Sequence, residues 1–145
     1  MAAADIYGAI ANHIAEQIAA FNGSVWVGDM PERIPKPFAV VTDGGFTTEW
    51  SFADDTDEMT WVDTGQLTVH CVSNSGDESR RLAELVKRLF ASPTAGNSIP
   101  TDGSFEVMEV TRHGFSFQRE PDHDEVGAVV YRYQLTFSVR AQGRY

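Results

Sequence analysis

The chain has 145 residues, 42% of them hydrophobic and 22% charged, with a formal net charge of −10. That length buries about 70% of the unfolded-state surface, so a single domain over residues 1–145 needs neither a metal nor a disulfide to fold. The lone cysteine, Cys71, excludes an intrachain disulfide, and the acidic balance disfavours direct binding to phosphate backbones.

Ile6, Ile10, Ile14, Ile18 and Phe21 recur every three or four residues and predict an amphipathic helix from about Ala4 to Phe21. Asp5 favours its start and Asn22-Gly23 stops it. The start of the chain lacks positive charge and no stretch reaches about 18 uninterrupted apolar residues, so neither a signal peptide nor a membrane span is expected. A short strand follows at Val25-Trp-Val27. Pro31, Pro35 and Pro37 then make an extended connection, because prolines remove backbone donors and stiffen the chain.

Phe38-Ala-Val-Val-Thr42 reads as a buried strand broken by Gly44-Gly45. From Phe46 to Thr64, Trp50, Phe52, Trp61 and Val62 flank an acidic tip at residues 53–58, the pattern of a projecting β-hairpin. Its return arm continues to Ser73, with Leu67, Val69 and Cys71 alternating against Thr68, His70 and Val72. Charge is uneven here. Between Lys36 and Arg80 lie nine acidic residues and no Lys or Arg.

Ser75-Gly-Asp-Glu78 is a capping box: the serine accepts a backbone N–H and the glutamate reaches back. Leu82, Leu85, Val86, Leu89 and Phe90 form the apolar face of the second helix, Lys87 and Arg88 suit its negative end, and Ser92-Pro93 ends it. After a loop rich in Gly, Pro, Ser and Thr, one strand runs from Phe105 to Arg119, interrupted by a bend or bulge at His113-Gly114. The acidic tip Glu120–Glu125 leads into a last strand in which Val129, Tyr131, Tyr133, Leu135, Phe137 and Val139 share one face. The expected fold is α+β: a mostly antiparallel sheet with two helices on one face and a long projecting hairpin, in the order α-β-β-β-α-β-β.

Candidate chemistry is sparse. Asp54, Asp55, Asp57 and Glu58 are the best metal candidates, but they lack the glycine and longer register of a calcium loop and read as a solvated tip. Asp122-His123-Asp124 reads as a turn, since neighbours on an extended chain point to opposite faces. His13, His70 and His113 are isolated, without H-x-x-x-H spacing, and His70 is expected to pack or to face a partner. Cys71 falls in an apolar strand pattern and reads as a small core hydrophobe. No catalytic residue, metal ligand or cofactor is nominated, so assembly rather than catalysis is expected. A ligand-binding domain or enzyme with a site of scattered carboxylates is the alternative reading.

The helix at 5–21, the Pro-Phe-Ala-Val-Val run at 37–41 and the arm from Trp61 to Ser73 together resemble the tail-terminator family of long-tailed bacteriophages. So do the helix start Ser-Gly-Asp-Glu-Ser-Arg-Arg-Leu at 75–82 and the strand Tyr-Arg-Tyr-Gln-Leu-Thr-Phe at 131–137. The resemblance covers nearly the whole chain. It implies a virion protein assembled in the host cytoplasm, whose copies form a hexameric ring at the end of the tail tube. Its partners would be the tail tube protein and the head–tail connector or stopper, with DNA passing through the ring unbound and no membrane involved. Glu49, Trp50, Phe52, Asp54, Asp55, Asp57, Glu58 and Trp61 are the candidate lumen or ring-interface residues. The acidic ones would repel passing DNA, and the aromatic ones would leave apolar area for a neighbour.

Overall fold

Asp5 opens the first helix, α1 (Ile6–Gln17), its carboxylate accepting from the Gly8 N–H at 2.6 Å. The computed structural model describes residues 5–28, 34–52, 59–91, 99–122 and 127–144. The α-helix is shorter than its apolar stripe. It gives way at Ile18 to a single 3-10 turn (Ala19–Phe21), and Asn22, at φ 52°, makes the left-handed exit that the Asn-Gly pair predicted. Ile6, Ile10, Ile14, Ile18 and Phe21 are all buried, so the stripe survives the change of helix type.

Among the described residues five strands form one sheet, in the order β1-β2-β3-β5-β4. They are β1 (Val25–Val27), β2 (Phe38–Phe52), β3 (Met59–Ser73), β4 (Phe105–Pro121) and β5 (Val129–Arg144). β1 runs parallel to β2, and every other pairing is antiparallel. With α2 (Gly76–Leu89) between β3 and β4, the order along the chain is α-β-β-β-α-β-β. The fold is α+β with both helices on one face. Their apolar sides meet Ala39, Val41, Leu67, Val69, Cys71, Leu135, Phe137 and Val139 in one core, and Ser79 ties α2 down by donating to the Cys71 carbonyl at 2.9 Å.

The opposite face holds a smaller apolar cluster of Ile34, Phe38, Val40, Val72 and Val130, with Trp26 against it. The segment that carries Ile34 is anchored by a buried ion pair between Lys36 and Asp122 at 3.0 Å. The same Asp122 donates its backbone N–H to the Ala128 carbonyl, so the acidic tip after β4 is tied to the proline-bearing connection. His123, Asp124 and Glu125 lie outside the described residues, as does the 53–58 tip.

One sequence expectation is corrected here. Gly44-Gly45 does not break the strand; β2 passes through it as a bulge, with register shifting from Asp43↔Leu67 to Phe46↔Gly65. Gly45 takes φ 98° and its N–H is held by the Asp43 carboxylate at 2.6 Å. The bulge keeps Asp43 and Phe46 both on the helix face. Gly65 is needed opposite it, because a Cβ there would lie 2.2 Å from the Gly45 carbonyl oxygen and 2.6 Å from Cγ of Phe46. In β4 the bulge anticipated at His113-Gly114 is present between Arg112 and Gly114, and a second one lies between Val107 and Glu109.

The capping box of α2 forms with a relay. Ser75 Oγ accepts from the Glu78 N–H at 3.4 Å, but Glu78 does not reach back directly. The buried Ser73 hydroxyl donates to Glu78 Oε1 and accepts from the Ser75 N–H. One hydroxyl from the end of β3 thus completes the N-terminus of the next helix.

Candidate functional site

The strands are much longer than the helices that cover them. At ~3.3 Å per residue the 17 residues of β4 span about 55 Å, whereas α2 with 14 residues rises only about 20 Å. Part of the helix-bearing face is therefore left uncovered by construction. Two such regions carry aromatic side chains.

The first is the outer end of the β2–β3 hairpin, where the sequence placed its candidate interface. Trp50 and Trp61 are cross-strand partners on the helix-bearing face. They differ in exposure. Trp61 is half-buried, lies over the Gly143 backbone of β5 and packs against Phe105 at a ring separation of 6.4 Å. Trp50, on the β2 side, is 53% exposed. Glu49 is exposed on the opposite face, and Phe52 ends β2. Asp54, Asp55, Asp57 and Glu58 fall outside the described residues. The structure thus brings Trp50 and Trp61 together and separates Glu49 from them by the alternation of the strand. Among the described residues the hairpin is supported on one side only: β3 pairs with β5 along its whole outer arm, from Thr60↔Arg144 inward. β1 borders β2 only from Ala39 to Val41.

Where α1 meets the hairpin, Tyr7 packs edge-on against Phe46 at 5.6 Å and its hydroxyl bonds to Asp43. Burial first, then that bond and the charges of Asp43, Asp5 and Asp63, push the Tyr7 phenol up to about 12. It stays a protonated donor. Thr48 donates to Asp63 across the strands beside it.

The second region is the border strand β4, which sequence reading assigned only to strand packing. Phe115 is 63% exposed and Phe117 49% exposed, although both stand on the helix-bearing face, opposite Leu135 and Tyr133. Each ring stacks on a neighbour of β5: Phe115 on Tyr133 at 5.8 Å and 12° between planes, Phe117 on Tyr131 at 6.0 Å and 22°. The α2 N-terminus stops at Tyr131, with Gly76 and Arg80 forming one wall of a shallow groove over Phe117. By register Arg112 and Arg119 flank the two phenylalanines on this face; both are exposed and make no ion pair among the described residues. Phe115 lies level with the buried Leu135, so its exposure comes from the border position of β4, α2 packing over β5 and β3; no local pattern in the sequence encodes that placement.

On the other face, a polar ladder crosses four strands. Thr42 meets His70 Nε2 at 3.0 Å, Arg132 meets His70 Nδ1 at 3.3 Å, and Arg132 forks onto Glu120 at 2.7 and 2.9 Å. Burial, then the Arg132 charge, lowers the His70 ring to about 4, with Glu120 opposing. His70 is therefore neutral and engaged at both nitrogens, as a cross-strand strut. His13 is buried between the helices beside Phe90, and burial lowers its pKa against the pull of Glu16. Its Nδ1 has no hydrogen-bond partner among the described residues. Burial raises the Cys71 thiol to about 12, which leaves it a packed core group. Among the described residues no three His, Cys, Asp or Glu side chains gather to hold a metal ion, and no helix is long and apolar enough to cross a membrane.

No protein-family model matches the chain, and no curated protein matches it by sequence. Its fold does match solved structures. A chain described as "Virion of native gene transfer agent (GTA) particle" aligns over 90% of this chain and 92% of its own length, with a TM-score of 0.52 and 15% sequence identity. At that identity the two chains share a fold.

Proposed function

We propose that the protein is a structural subunit of a phage-like virion, acting without catalytic turnover as a tail-terminator ring between the tail tube and the head-side connector. The observation that carries the reading is the fold shared with a chain of a gene transfer agent virion over nine-tenths of both molecules. It agrees with the independent resemblance of the sequence to tail terminators. The exposed aromatic borders at Trp50 and at Phe115–Phe117 supply the apolar area that a self-assembling subunit needs.

The net charge of −10 suits a passage that DNA crosses without being held, since like charge repels the phosphates within a Debye length of about 8 Å at physiological salt. In this reading the copies close into a hexamer, the tail tube protein and a head-side stopper are the axial partners, and the site of action is the virion neck.

Native mass spectrometry and negative-stain microscopy of the full chain test the proposal. The expected result is a single ring species, six subunits around an open channel, that caps tubes of its cognate tail tube protein. A protein that stays monomeric at high concentration, alone and with tube protein, overturns it.

A further inference from the structure

We infer that the aromatic border of β4 is the dock for a second copy of this chain, which enters it with the Glu49–Trp50 end of its own β2. The inference rests on the ring reading above and adds the two surfaces that would make the joint.

The two surfaces are unlike, and they complement each other. β4 is a border strand, so along 17 residues one side of its backbone is unpaired by any strand among the described residues. An open border of that length invites pairing with another chain. Phe115 and Phe117 add a rigid apolar platform, since each ring is already stacked on a tyrosine and loses little freedom on binding. Arg112 and Arg119 rim the platform without ion-pair partners, in contrast to Arg132 and Lys36, which are neutralised by Glu120 and Asp122.

The other surface is the outer part of β2, beyond the reach of β1, where Trp50 is 53% exposed and shares a shallow recess with Asp5 and Asp63 on the helix-bearing face, Glu49 standing on the face behind. Charge follows the same division along the chain. Residues 1–79 carry thirteen acidic and two basic residues, and residues 80–145 carry eight acidic and nine basic. On the helix-bearing face, the acidic aromatic border formed by Trp50 with Asp5 and Asp63 on one copy thus faces the arginine-rimmed aromatic border of β4 on the next. Unlike surfaces make a head-to-tail contact, the type that repeats and closes into a ring. Like-to-like pairing would set arginine against arginine at β4.

Two full-length variants test it when mixed under oxidising conditions: Trp50→Cys and Phe117→Cys. Both positions are exposed, and the native Cys71 is fully buried. The expected product is a mixed disulfide between the two variants, at least about tenfold over either homodimer, because docking raises the local concentration of one thiol at the other. In parallel, Phe115→Ser with Phe117→Ser is expected to weaken self-association about 30-fold or more while the thermal unfolding curve stays in place. If that double variant unfolds, the cross-link alone decides.

The failures are distinguishable. A wild-type chain that never self-associates overturns the ring reading and this inference together. A wild-type ring with no mixed disulfide, or with Phe117→Cys homodimers predominating, overturns this inference and leaves the ring intact.

Discussion

Arg132 approaches Nδ1 of His70 at 3.3 Å, and this fixes the state of the imidazole. A guanidinium has no acceptor to offer, so Nδ1 must be the acceptor and Nε2 carries the proton that Thr42 receives. The polar face of the sheet is thereby held by a neutral histidine.

The first prediction follows from its titration. The unfolded chain binds a proton at His70 near pH 6.5, whereas the folded chain does so only near 4. Above about pH 6.5 this contribution to stability is complete, and it is lost as pH falls toward 4, because there the unfolded state binds more protons. Solvent at the half-buried ring screens the effect, leaving about 2 kcal/mol. Urea midpoints at pH 7 and pH 4 should differ accordingly, His70→Gln should flatten the dependence, and NMR of the ring should show the Nε2–H tautomer. An imidazole titrating at its ordinary pKa would contradict the strut.

The Lys36–Asp122 pair predicts an asymmetric mutational response. Both side chains are nearly buried, at 11% and 5% exposure. Lys36→Met should cost about 3–5 kcal/mol, since it removes the ammonium that neutralises a largely buried carboxylate. Lys36→Met with Asp122→Leu should cost clearly less than the single change, because no charge then remains to be desolvated. Equilibrium denaturation of the two variants settles it.

Ser73 predicts non-additivity. Ser75→Ala should cost about 1 kcal/mol, the ordinary value of a helix cap. Ser73→Ala should cost more, about 1–3 kcal/mol, because it leaves Glu78 and the Ser75 N–H without the shared hydroxyl. A double-mutant cycle of Ser73→Ala with Glu78→Ala should show coupling. Additive losses would mean that the relay carries no energy.

Gly65 should tolerate no side chain. Gly65→Ala drives its methyl into the Gly45 carbonyl and the Phe46 ring, and a cost of about 1–3 kcal/mol is expected. Amide exchange should quicken in β2 from Phe46 outward while the helices stay protected. Uniform destabilisation across the chain would argue against a local clash.

Much of the fold was legible because local patterns and tertiary demands agree. The stripe from Ile6 to Phe21, the Ser75 cap and the alternation of Tyr131 to Val139 each name an element and a buried face. Gly44-Gly45 misled because a bulge uses the same left-handed residues as a turn; only the partner strand, with Gly65 opposite, distinguishes them. β5 extends past Val139 through Ala141, Gln142 and Gly143, residues of weak strand preference that β3 and β4 hold from both sides. The histidine strut was out of reach for a different reason: His70 meets Thr42, 28 residues away, and Arg132, 62 away, and no local spacing encodes that meeting.

The proposed interface was half legible. Trp50 and Trp61 could be placed opposite one another, but not the β5 backbone that shelters Trp61 and leaves Trp50 outside. Phe115 and Phe117 fall within the expected Phe105–Arg119 strand, but alternation tells which face a residue takes, and not whether a helix reaches it.

The direction of the border strands has one more consequence. β1 and β2 run together and β4 runs against them, so a copy set beside another in the same orientation always offers β4 an antiparallel neighbour. An open row of such copies would still end in one bare β4 and one bare β2, each free to recruit further chains. A closed circle has no last member, and the rotation repeated at each contact would set the size at which growth stops.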